Sequence, residues 1–386
     1  MHRRDLTAFA IAGTLLLLPP RPALGAQRGD EARAKAAFAR ALELESQGNG
    51  PAALSLLWEA AGLSPRDAEV QNRLGEALER IGALDAAIDA YRRALAERPD
   101  FRKASNNLIL ALAKAGRGAE AVDRASALAA AAPGDPDRLF TLGLAQSEQD
   151  VAAAIATFQR LLRMNPRHTL GRYNLALVLR RVDRLGEALQ ELDRAIAIEP
   201  RAEAHYMRGV ILMHQGDPSG AADALRAAIR LEPRYADAQF VLGSVLKSQR
   251  DWAGAAASLR RAIKLRPDFP AAYYTLAQVL RSSGDEAGAR AQDAESERQR
   301  RLADDEHTAL VWTSVGIQKA RDGDLLAALD SFRRATGAFD RYAPAHYQMG
   351  LVLDRLGQAD AARSAFARAQ ALNPSLVPPV RNGPID

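Results

Sequence analysis

The chain has 386 residues, 48% hydrophobic and 26% charged, with no cysteine, which excludes disulfides, thiolate metal sites, cysteine nucleophiles and a lipid-bearing N-terminal cysteine. Arg3, Arg4 and Arg21 against Asp5 carry a good part of the formal charge of +5, and what remains is too weak a balance to point to nucleic acid. Aromatic residues are only 5% and alanine is abundant, so a core of many small, close helix contacts is expected.

The N-terminus opens with His2, Arg3 and Arg4, continues as an apolar run from Leu6 to Leu18, and breaks at Pro19-Pro20-Arg21. Such a run is too short to span a bilayer comfortably. Ala23-Leu24-Gly25 supplies small residues of the kind a signal peptidase reads, so residues 1–25 are expected to be a removed Sec-type export signal, cut before Ala26 or one residue later. Arg3-Arg4-Asp5-Leu6 also resembles the start of a twin-arginine signal, and an uncleaved anchor is the other alternative. The mature chain is expected to be periplasmic or secreted, with no stable membrane insertion.

From there the chain is periodic. Prolines stand at 65, 99, 133, 166, 200, 233 and 267, in steps of 34, 34, 33, 34, 33 and 34, and Pro374 closes a later copy. Each interval repeats one order of small and large residues, such as Leu242-Gly243, Ala255, Leu259, Ala262 and Pro267, or Met349-Gly350, Ala362, Phe366, Ala369 and Pro374. Apolar residues fall at helical spacing in two stretches. A glycine separates them at Gly48, Gly82, Gly116, Gly216, Gly284, Gly323 or Gly357, where a helix would end in the left-handed conformation. Gly75, Gly143, Gly209, Gly243, Gly316 and Gly350 would let the paired helix approach closely. The unit is a helical hairpin, closed by a proline that cannot continue the second helix.

This spacing and residue order resembles the tetratricopeptide repeat (TPR) family. Ten copies start near residues 34, 68, 102, 136, 169, 202, 236, 270, 309 and 343. The family's first-helix tryptophan is present only as Trp312, with His205, Tyr273 or His346 in that place elsewhere. The resemblance implies an all-α, right-handed superhelical solenoid of antiparallel helix-turn-helix repeats. Repeats one to eight would occupy 34–303, a charged helical insertion 304–308, repeats nine and ten 309–376, and a Pro-rich tail 377–386.

In the eighth copy Asp293 and Ser296 stand where apolar residues are expected, so its second helix is predicted to lose its buried face. Glu295 to Glu306 is dense in charge of both signs, which suits a long solvated helix acting either as a hinge or as a rigid spacer. The last hairpin, with Phe366 and Leu372, could expose an edge, which would either pair with a second copy, giving a homo-oligomer through the C-terminal repeats, or be covered by the tail.

Residues able to carry chemistry are scattered. His2, His168, His205, His214, His307 and His346 form no metal-ligand spacing, and no phosphate-binding glycine loop occurs. No catalytic site, metal or cofactor is expected. In proteins this chain resembles, the first helix of each hairpin lines a concave groove and its fifth residue points inward. That position holds Phe140, Tyr173, Tyr206, Phe240, Tyr274 and Tyr347, a stripe of rings that would bind or simply pack. The next position holds Asn107 and Asn174, resembling asparagines that hold extended peptide backbone in some family members. Arg180, Arg181, Lys247 and Arg281 could meet carboxylates. The expected function is a noncatalytic, exported protein-binding scaffold taking an extended peptide or protein segment in its groove. The alternative is an accessory subunit of polysaccharide export or modification.

Overall fold

The computed structural model describes residues 27–374 and Leu376; the export signal and the Pro-rich tail expected from the sequence lie outside the described residues. Among these the chain forms nineteen helices and no strand. They run in successive pairs: α1 (Gln27–Ser46) with α2 (Gly50–Leu63), α3 (Ala68–Arg80) with α4 (Leu84–Glu97), then α5 (Arg102–Lys114) and α6 (Gly118–Ala131). Next come α7 (Pro136–Gln149) with α8 (Val151–Met164), α9 (Thr169–Arg181) with α10 (Leu185–Ile198), and α11 (Ala202–His214) with α12 (Pro218–Leu231). These are followed by α13 (Ala236–Ser248) with α14 (Trp252–Leu265), α15 (Pro270–Ser282), α16 (Glu286–Arg321), α17 (Leu325–Ala338), and α18 (Ala343–Arg355) with α19 (Ala359–Leu372). Two compact units are distinguished, one of residues 118–302 and one of residues 1–117 with 303–386.

The turn inside each hairpin follows from a short local code. All seven glycines expected to end first helices have φ between 74° and 88°. An aspartate often follows and caps the second helix, as when Asp217 accepts from Gly220 N at 2.9 Å and Asp324 from Ala327 N at 3.0 Å. Three copies do without the glycine; the one starting at 136 joins its two helices through Asp150 alone, and the other two keep the left-handed turn. In those two Asp183 and Arg250 occupy the glycine's place and are held at φ 59° and 61°, a conformation that costs about 1 kcal/mol or more for a residue with a Cβ. Asp183→Gly and Arg250→Gly are each expected to raise the denaturation free energy by about 0.5–1 kcal/mol, as measured by urea titration; unchanged or lowered stability would refute the strain.

The small residues at the eighth helical position close the hairpin. A Cβ on Gly75 would lie 2.4 Å from the Tyr91 ring, on Gly143 2.6 Å from Phe158, and on Gly316 2.5 Å from Phe332. All three rings are fully buried, so only glycine allows this separation between the paired helices. The copy beginning at 309 is thereby a genuine hairpin, with Gly316 on α16 facing Phe332 on α17.

The position of the missing tryptophan has its own polar bond, reaching the carbonyl six residues upstream. Gln71 bonds Pro65 O at 3.2 Å, Arg172 bonds Pro166 O at 2.6 Å, Tyr273 bonds Pro267 O at 3.0 Å, and a His346 ring nitrogen meets Asp340 O at 2.8 Å. These side chains tie the start of a first helix to the turn before it. At α9 the tie carries charge: Arg172 also pairs with Glu191 of α10 at 2.5 Å, and the two side chains are only 12% and 11% exposed.

Helix α16 runs unbroken for 36 residues, through the second helix of the eighth copy, the charged stretch and the first helix of the ninth. The eighth copy keeps more of its buried face than its sequence suggests. Ala289 is fully buried, and Ser296 is nearly so because its Oγ donates to Pro270 O at 3.0 Å. Asp293 is half-buried and pairs with Arg281 at 2.5 Å. Hydrogen bonding thus holds the seam that apolar residues hold elsewhere. At the end of the chain Leu376 is buried with Ala343 and Ala369.

Candidate functional site

Six of the eight candidate binding residues lie within residues 118–302: Phe140 on α7, Tyr173 and Asn174 on α9, Tyr206 on α11, Phe240 on α13 and Tyr274 on α15. Asn107 and Tyr347 belong to the other unit. The fifth position of a first helix sits one turn in from its start, and at Phe140, Tyr206 and Phe240 the ring meets the turn that leads into the next hairpin. Phe140, Tyr173, Tyr206 and Phe240 are half-buried against the core of their unit, while Tyr274 is 46% exposed. Each of these rings is therefore packed over part of its surface and open over the rest.

What the rings pack against was not singled out from the sequence. Phe140 lies 5.0 Å from the His168 ring, Tyr206 5.0 Å from Tyr235, and Phe240 4.7 Å from Phe269, centre to centre. His168, Tyr235 and Phe269 are the N-cap residues of α9, α13 and α15. Each closes a Pro-x-ring turn, so the pairing joins one hairpin to the next. At Phe269 the stack extends further: the Arg266 guanidinium lies 3.7 Å from the ring centre and pairs with Asp237 at 2.7 Å.

The junction between α9 and α11 breaks this series. Pro166-Arg167-His168, Pro233-Arg234-Tyr235 and Pro267-Asp268-Phe269 each place two residues between proline and helix, whereas Pro200 is followed by Arg201 alone. The N-cap is then Arg201, with ψ 143° in place of the 79–90° of the three ring caps. Tyr173 has no ring partner among the described residues, and a pocket of about 220 Å³ opens beside it, lined by Leu170, Ala195 and Ala204 and by Asn174, Arg201 and Glu203.

Electrostatics on this face are uneven. Burial, and then the charge of Glu203, pushes the Tyr173 hydroxyl up from its ordinary range, and burial followed by Asp237 does the same at Tyr206. Both hydroxyls stay protonated as donors through the physiological range. Arg180 opposes the shift at both, so its field reaches both rings. Its guanidinium is exposed and makes no hydrogen bond or ion pair among the described residues. The other cations considered for this face are engaged: Arg181 with Ser147 O and Glu148, Arg281 with Asp293, and Lys247 with the neutral Gln278 amide at 2.7 Å.

The two asparagines differ. Asn174 Nδ2 donates to Leu170 O at 2.8 Å, which leaves Oδ1 without a partner among the described residues. Asn107 Nδ2 is spent on Asn72 Oδ1 at 3.2 Å and Glu76 Oε1 at 3.1 Å. Burial raises the Glu76 carboxyl, but hydrogen bonds from Lys103 and Asn72 and the nearby charges outweigh it and hold the group below its ordinary range. Tyr347 packs edge-on against Phe366, 5.5 Å between centres.

Models of the tetratricopeptide repeat match residues 24–101, 84–136 and 144–203, and further TPR models match 202–235, 243–284 and 343–376. Among solved structures, the fold is similar to that of a tetratricopeptide repeat protein from Parabacteroides merdae ATCC 43184, with a TM-score of 0.51 and 17% identity over 64% of this chain and 99% of that one. It is also similar to a thermophilic TPR protein of Thermus thermophilus, with a TM-score of 0.42 and 23% identity over 47% of this chain and 99% of that one. For MamA from Desulfovibrio magneticus RS-1 the TM-score is 0.41 and the identity 15%, over 43% of this chain and 95% of that one. With the repeat matches covering well over half of the sequence, the chain belongs to the tetratricopeptide repeat family.

Proposed function

We propose that this protein is an exported, noncatalytic scaffold that holds an extended segment of a partner protein along the first-helix face of residues 118–302. The observation that carries the reading is the row of rings from Phe140 to Tyr274, each with part of its surface open beside donors and acceptors fixed on the same helices. Rings of this kind offer apolar area at low entropic cost, and Asn174 Oδ1 with the protonated tyrosine hydroxyls can satisfy a bound backbone. Export to the periplasm or medium rests on the N-terminal sequence pattern.

The test is crosslinking and capture of partners by the mature protein in its native envelope, beside a triple variant, Tyr173→Ala, Tyr206→Ala and Phe240→Ala. Because those rings also pack, Tyr274→Ala is run in parallel: at 46% its side chain is more exposed than the half-buried rings, so melting should change little. Capture at least tenfold weaker in the triple variant and measurably weaker in Tyr274→Ala is expected. Undiminished capture by both variants would remove this face from the function.

A further inference from the structure

The pocket beside Tyr173 opens where the turn after Pro200 is one residue short. At about 220 Å³ it falls below the roughly 300 Å³ at which small-molecule sites begin, so it is sized for one side chain. Ala195 and Ala204, both buried, and the Leu170 and Tyr173 side chains present carbon to it. Thr169, Asn174, Arg201 and Glu203 supply the polar part of the lining. Asn174 Oδ1 is positioned there to accept a main-chain N–H, since Nδ2 is already bound to Leu170 O.

Charge on the same face selects among segments that could bring such a side chain. Glu203 lies 3.6 Å from Arg201, Asp237 is paired with Arg266, and Asp293 with Arg281. Among the described residues Arg180 has no carboxylate partner, and neither does Lys247, whose Nζ reaches Gln278. The surplus on this stretch is positive, and Arg180, on the same helix as Tyr173, acts electrostatically on both the Tyr173 and the Tyr206 hydroxyl. A carboxylate on the bound segment would offset that surplus, with the bidentate geometry that a free guanidinium favours.

We propose that this pocket anchors one large apolar side chain of an extended acidic segment, and that Arg180 pairs with a carboxylate next to that side chain. The inference rests on the groove reading above and adds the partner's chemistry to it. Tyr173 forms the wall, Arg201 with its shortened turn keeps the space open, and Arg180 sets the charge preference.

The probe is an array of decapeptides in which the central residue is varied over all types, set in flanks that are rich in Asp and Glu, neutral, or rich in Lys and Arg. Binding of the full chain is expected to be strongest for a central Leu, Ile, Met, Phe, Tyr or Trp in acidic flanks, at least tenfold above a central Gly and above basic flanks. Arg201→Tyr puts a ring at the pocket mouth and should erase the central preference, whereas Arg201→Gln removes the charge without filling the space and should keep it. Leu170→Asp, at an exposed wall residue, should erase it as well. Arg180→Ala should abolish the acidic preference and leave the central one. Peptides that bind with no central preference, prefer basic flanks, or ignore both Arg201→Tyr and Leu170→Asp would overturn the anchor. If such peptides still lose binding in Phe240→Ala, the groove reading survives its failure, and binding of no peptide at all would remove both.

Discussion

Gly143→Leu is expected to cost about 3 kcal/mol, an overpacking penalty at the upper end of the usual range. A Cβ at this position lies 2.6 Å from Cε1 of Phe158, whose ring is fully buried and cannot swing away. Replacing a mid-helix glycine returns about 1 kcal/mol of helix propensity, so the sign depends on the clash being larger, which a branched side chain ensures. Phe158→Ala alone should cost about 3–5 kcal/mol through the void it leaves. The informative variant is the double one, because the introduced leucine would enter the volume the ring vacated. Its cost is expected to fall below the sum of the singles by at least about 1 kcal/mol, as neighbours that share one space do. Since repeat arrays need not unfold in one step, the measurement is urea denaturation read together with amide exchange across residues 136–164. Strict additivity would mean that glycine and ring do not share the seam.

Glu191→Ala is expected to destabilise by about 3–5 kcal/mol, the range for stranding one partner of a buried pair. Arg172 would keep only Pro166 O for its guanidinium while remaining 12% exposed. Replacing both residues together, Arg172→Leu with Glu191→Leu, should be near neutral or stabilising, since neither charge is then buried. Thermal and chemical denaturation of the three proteins separates the cases: equal losses in the single and double variants would show that the pair contributes attraction rather than mutual neutralisation.

Much of the hairpin architecture was legible because its positions admit few residue types. A left-handed turn or a helix contact with no room for a Cβ selects glycine, so Gly216 and Gly143 announce their roles in the sequence alone. Where another side chain bears the strain, as at Asp183 and Arg250, the same turn is invisible to that reasoning. The rings at the fifth position were legible for a similar reason, since their spacing follows the repeat. Their partners were harder to see: His168, Tyr235 and Phe269 stand in turns, where a ring ordinarily signals nothing about packing. Ser296 shows the opposite failure, a polar residue that reads as solvent-facing and is buried because Pro270 O lies within reach. The 33-residue step that follows Pro200 was plain in the proline spacing. That this step deletes a ring and leaves a pocket depends on which residue the turn omits, and spacing does not carry that.

A strictly periodic surface has translational symmetry, and an extended chain lying on it could shift by one repeat and meet the same contacts again. Such a chain would have no preferred register and would slide. The residue missing after Pro200 breaks that equivalence at the junction beside Tyr173, so positions along the face are no longer interchangeable. A small deletion within a turn, touching no helix, is in this way sufficient to give a row of near-identical units an origin from which a bound chain can be counted.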